Sequence, residues 1–341
     1  MSTLEDFLHK SPIRPRTKQD IVRELWPSVL DSKTAQSALD WGPYFIYYQD
    51  QCAAALHEQG RHVIARTHQH IIEVVRKIEQ GRTQSDIRTD LRGWFQTTTQ
   101  LSDQNKIIDN TIELAARLYF MVNIGSYHSM VTQGTRLPWN DCDPKQIMHD
   151  AFKKTFLGPS ETKIRLEKDF TAFNLQRIAD FRICWTDNFA DHLRVVDDDR
   201  VVAIFHHASF LHRQRGNTLF PAGLVDETIL TLALVFPKHD KQGIKWLRGE
   251  HACGKIDGRL KHCNSLRFED RNIENFQFWG SRLVALKQIL DEPRSINLKQ
   301  RWYDRRDGYA WYTFWIALCV LVLTVVFGTV QSITGIIQAI K

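Results

Sequence analysis

The sequence predicts a mainly α-helical chain with one small β-hairpin and a single C-terminal transmembrane helix. Three observations carry this. Apolar residues recur at three- and four-residue spacing through most of the chain. The period becomes strand-like at LRVVDDDRVVAIF, where an acidic DDD turn separates two β-branched runs. Finally, no charged residue occurs from Gly308 to Ile340, and the run from Phe314 to Val330 is broken only by Thr324, Gly328 and Thr329.

Taken in order, Ile64, Ile71, Val75 and Ile78 define one helix face closed by Gly81, with Glu73 and Lys77 as an outward i,i+4 pair. Ser85 is placed to cap the next helix, whose apolar face is Ile87, Leu91, Trp94 and Phe95. KIIDNTIELAARLYFMVNIG is apolar round most of its circumference, so it is expected at the centre of the core, with Asp109, Asn110, Glu113 and Arg117 on a narrow wet strip. In DPKQIMHDAFKKTF, Asp143 reads as N-cap, Pro144 as the first helical position and Gln146 as the partner in a capping box. The buried face there is Ile147, Met148, Ala151, Phe152 and Phe156.

TDNFADHL is a short helix that runs into the hairpin near 193–205. LVDETILTLALVFP is a helix stopped by Pro237. IENFQFWGSRLVALKQILDEP follows, with Phe276, Trp279, Leu283, Leu286 and Leu290 in four-three spacing over too few heptads for a free coiled coil. Two helices and a third feeding a ribbon, over about 106–207, resemble a winged-helix unit in element order alone.

These elements divide the chain into an N-terminal helical region with a basic arm (1–84), a helical core with the hairpin (85–237), a basic glycine-containing loop (238–268), an amphipathic helix with a juxtamembrane linker (269–300), and the transmembrane helix (308–335). The loop holds five of the chain's formal net charge of +6. Its Gly243, Gly249, Gly254 and Gly258 suggest a mobile connection. At 43% hydrophobic and 25% charged residues the body is expected to fold, and a mean hydropathy of −0.35 excludes a multi-span membrane protein.

About 20 apolar residues cross a bilayer as a helix. Trp311, Tyr312, Phe314 and Trp315 stand at the upstream edge, where amphipathic rings favour headgroups, and Leu321, Leu323 and Phe327 belong in the hydrocarbon. Arg301, Arg305 and Arg306 precede the span, which sets the body in the cytosol. The first residues carry no signal-peptide core, and the six scattered cysteines read as reduced thiols. The expectation is a single-pass, tail-anchored protein of the endoplasmic reticulum or another endomembrane.

SDIRTDLR, IIDNTIELAARLYFMVNIG, FTAFNLQRIADFRICWTDNFADHLRV, VVAIFHHASFL, LFPAGLVDETILTLALVFP, IENFQFWGSRLVALKQIL and RWYDRRDGYAWYTFWIALCVLVLTVVFG recur in this order. On these pieces, which cover most of 85–328, the chain resembles a family of ascomycete-fungal proteins with a cytosolic helical body and one C-terminal membrane helix. The resemblance implies a membrane location. It brings no established activity and no catalytic residues.

Motifs for chemistry are sparse. GEHACGKI satisfies G-x-x-x-x-G-K, but Ile256 stands where a P-loop needs Ser or Thr for magnesium. His57, Glu58 and His62 miss the zincin spacing by one residue. His251, Cys253, His262 and Cys263 offer zinc-type ligands at a spacing that matches no finger. His206, His207 and His212 are available as bases or ligands without an identifiable nucleophile. No catalytic residue, cofactor or metal site is therefore assigned.

The function these features support is a membrane-tethered adaptor that binds an unidentified protein partner or a membrane surface. Lys241, Lys245, Lys255 and Lys261 are placed to meet anionic lipid. Two alternatives stand beside it: a membrane-bound hydrolase or transferase using the His206/His207 region, and a membrane-held nucleic-acid-binding module. The near absence of aromatic residues from the basic segment speaks against nucleic acid.

Overall fold

The strand-like stretch at 193–205 does pair as a ribbon, but a third strand lies against its inner edge. The computed structural model describes residues 3–27, 39–94, 101–125, 134–155, 164–196, 201–254, 256–291 and 308–340. In it, β1 (Arg182–Thr186), β2 (Arg194–Val196) and β3 (Val201–Phe205) form one sheet in the order β1-β3-β2. β2 runs antiparallel to β3. β1 runs parallel to it, in register from Arg182 opposite Val201 to Thr186 opposite Phe205. Because β3 is flanked on both edges, all five of its residues are buried, which suits its β-branched composition. The element-order likeness to a winged helix does not extend to the sheet, whose ribbon is part of a mixed three-stranded unit.

The rest of the described body is mainly helical. α1 (Pro15–Leu25) and α2 (Gly42–Ala55) precede α3 (His68–Glu79), α4 (Gln84–Leu91) and α5 (Leu101–Phe120). α5 is the central helix, as expected, and packs against α2, α3 and α4. The expected wet strip is not wet: Asn110, Glu113 and Arg117 are buried, and only Asp109 stays near the surface, paired with Arg88 at 2.8 Å. The cause is tertiary. The loop before α3 covers Asn110, which donates to the His62 carbonyl at 3.0 Å, and Tyr47 of α2 donates to the Arg117 carbonyl at 3.1 Å.

Local details shift in the same way. Thr67 caps α3 and leaves Ile64 outside it, bonded through its N–H to Thr111 Oγ1 at 2.8 Å. Gly81 closes the helix at φ +73, which a side chain would resist. Lys77 reaches Asp90 at 2.6 Å rather than Glu73. Thr83, not Ser85, caps α4 with Asp86 in a true capping box, while Ser85 bonds Asp141. α4 ends at Leu91, so Trp94 lies off its face, and Phe95 is outside the described residues.

In α6 (Pro144–Ala151), Asp143 caps as expected, but Gln146 donates to Asp150 and completes no capping box. Phe156 falls outside the described residues. α7 (Ala172–Ile178) leads into β1, and α8 (Ala208–Arg213) leaves β3. α9 (Leu224–Val235) ends before Pro237. Its buried Glu227 accepts three backbone N–H bonds, from Gln277, Phe278 and Trp279, each at 2.8 Å. That anchors the entry to α11 (Gly280–Asp291), which buries Leu283, Leu286 and Leu290 against its own body.

The largest correction concerns 238–268. This is not a mobile loop: α10 spans Lys241–Ala252, a 3-10 turn spans Gly258–His262, and Leu247, Ile256 and Leu260 are fully buried. Asp240 caps α10 by accepting from Gly243 N–H at 2.8 Å. Burial of the Leu247 face outweighs the poor helix propensity of two glycines, worth about 1 kcal/mol each. α12 (Gly308–Ile340) follows.

Candidate functional site

Two features stand apart from ordinary packing. The first is α12. Tyr312–Ile336 is a 25-residue stretch with mean hydropathy 2.4, and none of it is buried by the rest of the chain. Among the described residues this is the one helix long and apolar enough to cross a membrane. Tyr312, Leu321, Leu323 and Phe327 are exposed, and Phe314 packs edge-to-face on Trp315 at 5.5 Å. Four hydroxyls in the helix are internally satisfied: Thr324, Ser332 and Thr334 donate to carbonyls four residues back and Thr329 to one three back, at 2.7–2.9 Å. Such bonds hide hydroxyls from hydrocarbon. The side chain of Trp311, and Arg301, Arg305 and Arg306 altogether, fall outside the described residues.

The second is a cluster at the carboxyl ends of β1 and β3. Parallel pairing ends at Thr186 opposite Phe205, so the next residues, Asp187 and His206, emerge side by side. Carboxyl ends of adjacent parallel strands are where open sheets gather ligand-binding groups. His207 Nε2 lies 2.6 Å from Asp187 Oδ1, and His206 Nε2 lies 3.3 Å from the same oxygen. The two imidazoles are 4.0 Å apart between centroids and buried, whereas the Asp187 side chain is 48% exposed. Trp185 meets His206 edge-on, and its indole N–H donates to Glu250 at 3.1 Å.

Burial opposes the charge on Asp187, but hydrogen bonds from His206 and His207 outweigh it and hold the carboxyl well below the usual range. Burial, with His206 adding to it, pushes His207 down to about 4 against the pull of Asp187. Partial desolvation, then the charge of Asp187, raises the carboxyl of nearby Asp50. At neutral pH the cluster is thus an ionised carboxylate receiving hydrogen bonds from buried imidazole. Asp187 was not singled out from the sequence; the missing signal was β1, without which Asp187 has no reason to meet His206.

Ser209, two residues on, does not complete a nucleophilic triad. Its hydroxyl donates to Asp257 Oδ1 at 3.0 Å and accepts from Asp40 N–H at 2.8 Å. Asp257 also accepts from Arg259 N–H at 2.8 Å and is buried, which raises its carboxyl to about 6 because the hydrogen bonds offset only part of the desolvation. This is a structural clamp joining 39–40, α8 and the turn after α10.

The other sequence candidates separate. His251 turns Nδ1 to the Ile256 carbonyl at 3.0 Å, Cys253 is exposed, and burial pushes the Cys263 thiol up to about 12. Gly249 lies inside α10, so the G-x-x-x-x-G-K run starts at a helix C-terminus, which offers carbonyls rather than the N–H groups a phosphate needs. Its Lys255 is outside the described residues. The turn His57–Gly60 ends before His62, which pairs with Glu58 at 3.1 Å. Lys241 and Lys245 are exposed on α10, and Lys261 is half-buried.

An open cleft of about 740 Å³ lies elsewhere, lined by residues including Glu5, Arg66, His70, Glu73 and Trp94. Its Arg66 and His70 are engaged locally: Arg66 donates to the Gly60 carbonyl and its N–H to His70 Nδ1. The chain matches no protein-family model, no curated protein and no solved structure.

Proposed function

We propose that this is a single-pass membrane protein whose helical body is held at the cytosolic face of an endomembrane and works there by binding a protein or the membrane surface. The observation that carries it is α12, which holds a 25-residue apolar stretch with no residue buried in the body. Exposed area of that size in water is untenable, and a bilayer of about 30 Å hydrocarbon thickness fits its length. Arg301, Arg305 and Arg306 ahead of the span favour the cytosolic side for the body. Exposed Lys241 and Lys245 supply contacts for anionic headgroups.

Replacing Leu321, Leu323 and Phe327 together by Asp tests it, since a central Asp costs about 2.5–3.5 kcal/mol in insertion. The wild type is expected to resist alkaline extraction from membranes, and the triple variant to be released. Equal release of both would overturn the reading. An engineered glycosylation acceptor placed after Lys341 should be modified while one in the 238–268 segment is not; the reverse pattern would invert the topology.

A second reading, a membrane-bound hydrolase or transferase, is favoured by one observation: His206 and His207 meet a carboxylate of strongly lowered titration in a partly open site. The nucleic-acid reading has lost the mobile basic loop on which it leaned.

A further inference from the structure

We propose that Asp187, His206 and His207 form a binding site for one divalent transition-metal cation of the zinc class. Their ligand atoms, two imidazole nitrogens and a carboxylate oxygen, all lie within 4.8 Å of one another, and no other group of three such residues meets that limit among the described residues. Tetrahedral zinc with bonds of about 2.0 Å sets neighbouring ligand atoms about 3.3 Å apart. His206 Nε2 and Asp187 Oδ1 are already 3.3 Å apart. His207 Nε2, at 2.6 Å, is in hydrogen-bond contact, and a modest rotation of the half-exposed Asp187 opens room for an ion.

A second observation separates this cluster from a satisfied structural histidine. Buried His192, in the turn before β2, is bonded at both nitrogens, accepting from Phe205 N–H at 3.3 Å and pairing with Thr231 Oγ1 at 2.7 Å. His206 is equally buried, yet its Nδ1 has no hydrogen-bond partner among the described residues. The ring's Nε2 is therefore held by the carboxylate alone, and an ion bound there leaves the buried Nδ1–H without the anchoring partner that a ligating histidine usually has, which lowers the affinity expected of the site without removing its three ligand atoms.

Ligand chemistry selects the class. Imidazole with carboxylate suits zinc, iron, nickel or copper, whereas magnesium and calcium prefer oxygen alone. Three protein ligands leave a fourth position facing the open, Asp187 side, the pattern of sites that keep a water or a substrate on the metal. The strand register ends immediately before two of the ligands, so the paired backbones of Thr186 and Phe205 bring Asp187 and His206 out side by side.

The test uses the full chain in detergent, purified without a polyhistidine tag, stripped with chelator and titrated with Co²⁺ alone, read by its visible absorption and by displacement with Zn²⁺. One Co²⁺ per chain is expected, displaced by one Zn²⁺. Asp187→Ala should weaken binding at least tenfold, since loss of even outer-shell partners costs 10–100-fold, while Cys253→Ser with Cys263→Ser leaves it unchanged. No Co²⁺ binding by the wild type, full affinity in Asp187→Ala, or loss on the cysteine changes would each overturn the site. His207→Ala should abolish binding; should that variant fail to fold, Asp187→Ala, half-exposed and checked by its thermal unfolding, decides alone.

Discussion

Asp257 is the residue whose titration should be visible in the stability of the whole body. Its carboxyl sits at about 6 in the fold, above its ordinary 3.8, so the folded chain holds the proton more tightly than the unfolded one. Stability from this group is complete below about pH 4 and is lost as pH rises through 6, by an amount on the order of 3 kcal/mol. Denaturant unfolding of wild type against Asp257→Asn should show this: the difference between them changes across that window in the wild type's disfavour, and a parallel pair of curves would mean Asp257 titrates normally. Single residues of this kind were the least legible in the sequence. Asn110, Glu113 and Arg117 have the spacing of a solvated strip, and only the cover supplied by distant 62–64 and α2 makes them interior. Asp187 has no local signature at all; its partner is nineteen positions along the chain and twenty for His207.

At the scale of elements, legibility followed periodicity. α5, α9 and the β2–β3 ribbon are long or regular enough that their apolar pattern fixes them. β1 was hidden because RICWT alternates without the β-branched run that marks a strand, and its pairing with β3 is non-local. α10 was hidden for the opposite reason: its glycines and lysines look like a loop, and only Ile244, Trp246 and Leu247 betray a buried face. Two substitutions distinguish helix from loop. Leu247→Ala should destabilise the full chain by about 2–5 kcal/mol through the cavity it leaves. Lys245→Glu, exposed on the same helix, should change stability by less than about 0.5 kcal/mol. A urea midpoint for Leu247→Ala equal to that of the wild type would remove α10 from the core.

For the whole molecule, the open question is how the body meets the surface it is proposed to face. Reversing Lys241 and Lys245 to Glu should weaken association with vesicles containing anionic lipid by about 1 kcal/mol or more per residue, with the effect shrinking as salt rises. A co-sedimentation measurement on body protein lacking α12 reads this directly, and indifference to both charge reversal and salt would leave α12 as the sole attachment. The internally bonded hydroxyls of α12 carry a further consequence. Thr324 and Ser332 occupy their hydrogens within their own helix, and with Gly328 between them they form a stripe of small residues at four-residue spacing, the kind that lets membrane helices approach closely. On the proposed membrane reading, a body held by such a stem moves in two dimensions, so its encounters with partners, another copy included, are governed by surface density in that membrane rather than by concentration in solution.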